Sequence, residues 1–141
     1  MNKPITKFSN KRKYDLEERT ARFAENVIGL VKQIPVNPVN KRIIEQLVGS
    51  AGSLGANYCE ANEAESKKDF IHKIGICKKE TKEAKHWLRL LKVSDHEYEL
   101  GVEPLSEEAQ ELLLIFSSIN QSAKRKSIEN YYLKNSLKIE S

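Results

Sequence analysis

Proline stands at only four positions, Pro4, Pro35, Pro38 and Pro104, and this placement constrains the fold more than any other feature. A proline inside a helix removes a backbone hydrogen bond and clashes with the preceding turn. Long helices are therefore expected in the stretches between the prolines. Apolar residues there recur at three- and four-residue steps, the period of one helix face, and no strand-like alternation competes. A first helix opens at Asp15, with Glu18 three residues on as in a capping box. It carries Leu16, Phe23, Val27, Leu30, Val31 and Ile34 on one side and stops before Pro35. Pro35-Val36-Asn37-Pro38 reads as an interhelical turn.

Asn40 is placed to cap the second helix, with Val39 packing on Ile44 as a hydrophobic staple. Its stripe is Ile43, Ile44, Leu47, Ala51, Leu54 and Tyr58. The run Gly49-Ser50-Ala51-Gly52-Ser53-Leu54-Gly55-Ala56 is nearly all small residues. Each glycine weakens a helix by about 1 kcal/mol relative to alanine, so close helix packing is expected here to offset the loss. Ser66 with Asp69 opens the third helix, whose stripe is Phe70, Ile74, Cys77, Thr81, Ala84, Leu88 and Leu91. Trp87 borders that face, and the helix ends near Val93. A polar connection containing Gly101 and Pro104 is expected to lead to Ser106, the cap of a fourth helix with the stripe Ala109, Leu112, Leu113, Phe116, Ile119 and Ala123. Together these predict an all-α, antiparallel up-and-down four-helix bundle over residues 15–126. A basic, flexible arm is expected at 1–14, and a tail or frayed helix end at 127–141.

At 141 residues the chain is one domain's worth, and 39% hydrophobic with 31% charged residues suits a solvated helical protein. Cys59 and Cys77 lack metal-like spacing and read as small core or boundary residues in a reducing compartment. The N-terminal segment has no apolar stretch behind its charges, as a secretory signal would need. The densest apolar cluster, Leu112-Leu113-Leu114-Ile115-Phe116, is too short to span a bilayer. A soluble, cytoplasmic protein without membrane contact is the expectation.

Charge is segregated. Residues 66–92 hold nine Lys/Arg and three Asp/Glu, a balance of 9 − 3 = +6, while residues 93–119 hold seven Asp/Glu and no Lys or Arg. On a helical wheel Lys78, Lys82, Lys85, Arg89 and Lys92 fall in one narrow sector beside the apolar face of the third helix. Such a ridge suits phosphates, and Lys124, Arg125 and Lys126 add a second basic patch. The competing reading is a solvated face whose lysines pair with the acidic segment, within the chain or across subunits.

Catalytic patterns find little support. Gly49, Gly52 and Gly55 lack the Lys-Ser/Thr that follows a phosphate-binding loop and have no strand before them. Glu83 and His86 have the Glu-x-x-His spacing of di-metal bundles, but the near-partner, Asp69 with His72, lies on the same helix, whereas the motif is needed on two. His72, His86 and His96 read as surface residues, and no nucleophile–histidine arrangement is legible. Neither an enzymatic activity nor a metal or other cofactor is expected. Asn57 and Glu60, one turn apart beside the stripe of the second helix, are candidates for a structural polar network with the third helix that fixes register.

One segment goes beyond pattern. QLVGSAGSLGANYCEANEAESKKDFIHKIGICKKETKEAKHWLRLL, from Gln46 to Leu91, resembles the four-helix bundle family encoded in intervening sequences of bacterial 23S ribosomal RNA genes. The likeness is carried by the small-residue helix, Gly55-Ala56-Asn57, Glu60-Ala61, Ser66-Lys67-Lys68-Asp69-Phe70-Ile71, and Glu83 with Trp87-Leu88-Arg89-Leu90-Leu91. Relatives of that family include the accessory variability proteins of diversity-generating retroelements. The resemblance implies a ring-like homopentamer with a basic surface, which in those relatives binds RNA or DNA and a reverse transcriptase. Two functions compete at this stage. One is a non-enzymatic, oligomeric nucleic-acid-binding accessory protein. The other is a protein–protein scaffolding bundle whose charge segregation serves homo-oligomer assembly.

Overall fold

The computed structural model describes the backbone of residues 15–140 and the side chains of residues 15–136; the expected arm at 1–14 lies outside them. Among these residues four helices follow in order: α1 Leu16–Val31, α2 Lys41–Asn62, α3 Lys67–Ser94 and α4 Glu99–Glu140. A 3-10 turn, His96–Tyr98, joins the last two. Each helix packs on its neighbours in sequence and α4 closes back on α1, which makes the bundle up-and-down. The backbones of the diagonal pairs stay apart. Those helices meet through core side chains such as Tyr58 and Phe116, whose rings lie 5.8 Å apart.

Most of the stripe residues read from the sequence form the core; Val31, Ile43, Ile44, Tyr58, Phe70 and Ile119 pack partly buried against it, and Leu113 and Ala123 lie half-buried at its border. Leu16, Phe23, Val27, Leu30, Leu47, Ala51, Leu54, Ile74, Cys77, Ala84, Leu88, Leu91, Ala109, Leu112 and Phe116 are all buried. Thr81 joins them because its hydroxyl donates to the Cys77 carbonyl at 2.7 Å, satisfying its one polar group. Two helix starts form as their residues dictate. Asp15 Oδ1 accepts from the Glu18 amide at 3.4 Å, and Ser66 Oγ from the Asp69 amide at 3.0 Å.

Three local expectations are corrected. First, Val39 is 70% exposed, so the staple onto Ile44 does not form. Asn40 is fully buried and makes no side-chain cap to its own helix. Its Oδ1 instead accepts from the Asn37 amide at 2.8 Å, and its Nδ2 donates to Pro35 O at 3.1 Å and to both Asp95 carboxylate oxygens at 3.2 Å. Asn40 thus clamps the α1–α2 turn to the end of α3.

Second, Gly101 and Pro104 are not a connection, and Ser106 is not a cap, because α4 already begins at Glu99. Val102 and Leu105 extend the buried stripe by two turns, while Leu100, Gly101 and Pro104 face solvent. Pro104 lacks the N–H that would have bonded the Leu100 carbonyl, and an exposed carbonyl can be satisfied by water. Gly101 leaves room for the tip of Leu30 from α1: a Cβ there would lie 2.7 Å from Leu30 Cδ1.

Third, of the three glycines in the small-residue run only Gly55 has a neighbour set against it among the described residues, with an added Cβ meeting Thr20 Oγ1 at 3.4 Å. A Cβ at Gly49 or Gly52 would meet nothing within 4 Å. The packing expected to offset the glycines is made by Ser50, Ala51 and Leu54, which are buried, and by Gly55, and not by Gly49 or Gly52.

At its far end α4 continues as helix through Lys124-Arg125-Lys126 to Glu140. Its 42 residues amount to about 63 Å, against about 42 Å for the 28 residues of α3. The last turns of α4 therefore extend past the bundle.

Candidate nucleic-acid interface

The basic ridge is held by α3, whose buried stripe fixes the helix's rotation. With Ile74, Cys77, Thr81, Ala84 and Leu88 facing the core, Lys82 and Arg89 are exposed, and Lys78 and Lys85 lie half-buried at the border. Its members are not equivalent. Lys85 Nζ donates to Gln110 Oε1 on α4. Lys92 pairs with Glu103 and, at 3.9 Å, with Glu99 on the first turns of α4. The Glu103 carboxylate holds the Lys92 ammonium above the usual lysine range. Among the described residues Lys78, Lys82 and Arg89 have no carboxylate within ion-pair distance.

Lys78 and Lys82 share a shallow groove with Gly75, Lys79, Glu83, His86 and Trp87. The His86 and Trp87 rings meet edge-on with centroids 5.1 Å apart. Trp87 is half-buried against the core, and its Nε1 is enclosed without an acceptor among the described residues. Lys79 and this aromatic pair were not singled out from the sequence; adjacency to Lys78 and the i, i+4 spacing of Lys82 and His86 were the available signals.

Much of the acidic segment is satisfied inside the chain. Glu108 receives both Arg19 Nε at 2.7 Å and Nη2 at 2.8 Å, and Glu111 takes Nη2 at 2.9 Å. The Glu108 hydrogen bond raises the Arg19 guanidinium pKa further, so its charge is permanent. With Glu99 and Glu103 on Lys92, four of the seven acidic groups face cations of the same chain.

Lys124, Arg125 and Lys126 are exposed on α4 where it leaves the bundle. Lys126 adjoins the start of α3, not the ridge: it lines one groove with Lys67, Phe70, Ile119, Ser122 and Ala123. The predicted phosphate-binding set therefore splits into an upper ridge and a lower cluster. Lys67, close in space to Lys126 but far in sequence, is a member that only the packing of α4 on α3 reveals.

Asn57 and Glu60 both reach α3, by separate routes. Asn57 Nδ2 donates to Ser53 O at 2.8 Å and Ser53 Oγ at 3.1 Å, and that hydroxyl donates to Glu80 at 3.1 Å. Glu60 pairs with Lys73, which raises the lysine's pKa. Cys77 is sealed in the core and its thiol is pushed up to about 12 by burial. Cys59 is exposed and donates to Glu17 at 3.4 Å, which raises its pKa. His72, His86 and His96 are exposed. Among the described residues no three His, Cys, Asp or Glu side chains are grouped to hold a metal ion, and no helix is long and apolar enough to cross a membrane.

The model of the 23S rRNA-intervening sequence protein family matches residues 12–118. Among solved structures, a protein of unknown function from the S23 ribosomal protein family of Bacteroides thetaiotaomicron is similar at 30% identity with a TM-score of 0.64. The match covers 74% of this chain and 96% of that one. No curated protein matches.

Proposed function

The chain belongs to the 23S rRNA-intervening sequence protein family, and on that premise we propose that it is a non-enzymatic, cytoplasmic, oligomeric accessory protein that binds nucleic acid. One observation carries the reading. Among the described residues Lys78, Lys82 and Arg89 have no carboxylate partner on one face of α3, although acidic side chains lie on the adjacent helix. An unpaired basic line on a rigid helix attracts phosphates, and each phosphate it neutralises releases counterions. The scaffolding alternative needs the acidic segment free to reach another subunit, and four of its carboxylates already face Arg19 or Lys92. The homopentamer implied by resemblance is retained as the assembly that would repeat the ridge around a ring.

Titration of structured RNA and duplex DNA over a salt series tests this, with the fluorescence of Trp87, the one tryptophan, as a reporter beside the ridge. Three or four neutralised phosphates predict a log–log slope of about −3. Lys82→Glu with Arg89→Glu, both at exposed positions, should abolish binding and leave the assembly intact. Undetectable binding at low salt, or affinity unchanged in that variant, would sink the reading. Loss of the assembly in its place would favour the scaffold.

A further inference from the structure

From Lys124 to Ser136 every α4 side chain except Asn135 is exposed. The line that faces the bundle, Ala109, Leu112, Phe116 and Asn120, continues at helical spacing into Ser127, Asn130 and Lys134, which are polar. The extension is therefore not an unfilled part of the core. Its apolar residues turn elsewhere: Ile128, Tyr131 and Tyr132 share another face at 56%, 64% and 65% exposure, and Leu133 is exposed apart from them. The two tyrosine rings meet edge-to-face with centroids 5.6 Å apart. The family match stops at residue 118, and the solved relative, almost wholly covered, leaves about a quarter of this chain unmatched. The extension lies outside the matched family core.

We propose that this extension is an arm for single-stranded nucleic acid, with Lys124, Arg125, Lys126 and Lys134 on phosphates and Tyr131 and Tyr132 stacking on unpaired bases. The proposal rests on the nucleic-acid reading above. Charge selects the partner: residues 124–136 hold four Lys/Arg and one Glu, a balance of 4 − 1 = +3. Parallel pairing of two copies would set the 124–126 cluster against itself, and antiparallel pairing would set it near Lys134. A polyanion meets no such objection. Bases already stacked in a duplex cannot use the tyrosines, whereas unpaired bases stack on aromatic faces whatever their sequence.

The test uses the full chain with both tyrosines changed to alanine, or both to phenylalanine, titrated with labelled oligo(dT) and with a duplex of equal length. Circular dichroism and sedimentation are recorded for each. Tyr131→Ala with Tyr132→Ala should weaken oligo(dT) binding by about 10-fold or more and leave duplex binding unchanged. The phenylalanine pair should retain both. Unchanged oligo(dT) affinity in the alanine variant, an equal loss on duplex, or an altered assembly at unchanged affinity would each overturn the arm. If the unsubstituted protein binds no nucleic acid at low salt, the broader reading fails and the arm with it. If it binds and only the tyrosine changes are silent, the arm alone fails.

Discussion

Asn40 illustrates how a residue read correctly as polar and local acquires a different job in the fold. Its position before α2 suggested a cap, yet its side chain is turned inward to hold Asn37, Pro35 and the buried carboxylate of Asp95. Ser94 Oγ donates to the same carboxylate at 2.7 Å. Asn40→Ala removes Asp95's only side-chain N–H donor among the described residues, and an under-satisfied buried polar group costs about 1–3 kcal/mol. Urea unfolding should show a loss of that size for Asn40→Ala. Val39→Ser, at the exposed neighbour that forms no staple, should change stability by less than about 0.5 kcal/mol. A capping role would give a smaller loss for Asn40→Ala and none of the coupling to Asp95 that a double-mutant cycle should reveal.

At the scale of the element, α2 and α4 each depart from their sequence reading for a definable reason. Helix propensity counts against Gly49 and Gly52, and close packing was the expected compensation. Within the chain neither meets a neighbour, whereas Gly55 lies against Thr20. Gly52→Ala is therefore expected to raise stability by about 0.5–1 kcal/mol through helix propensity alone. Gly55→Ala gains less, because its methyl would sit at the short edge of contact, 3.4 Å from Thr20 Oγ1. Thermal unfolding distinguishes the two, and a loss of both stability and assembly in Gly52→Ala would mean that this face packs on another subunit. The early start of α4 was partly legible: Val102, Leu105, Ala109, Leu112 and Phe116 keep the helical spacing. Gly101 and Pro104 masked it, because their cost depends on whether the positions face solvent, and sequence spacing alone does not say how tertiary packing treats them.

At the scale of the whole molecule, α1 and α4 form the thinnest seam of the bundle. It is held by Leu30 against Gly101 at one end and by the Arg19 fork on Glu108 and Glu111 at the other. Arg19 is 16% exposed and Glu108 28%, so the pair is partly shielded from solvent. Arg19→Leu should lower stability by about 1–3 kcal/mol, and Arg19→Lys by less, since lysine keeps the charge but not the fork. Equal losses for both would mean that geometry is unimportant at this seam. The bundle itself was legible because helix faces and starts are local: a residue and its neighbours three and four positions away determine which side is apolar and where a cap can form. Pairing is not local. That Lys92 meets Glu103, that Arg19 meets Glu108, and that Lys67 adjoins Lys126 depends on how whole helices slide and rotate against one another. The sequence alone determined four helices, their buried faces and a basic line on the third. Only the tertiary structure decided which of those charges remain unpaired, because ion pairing across helices depends on distances that no spacing along the chain encodes.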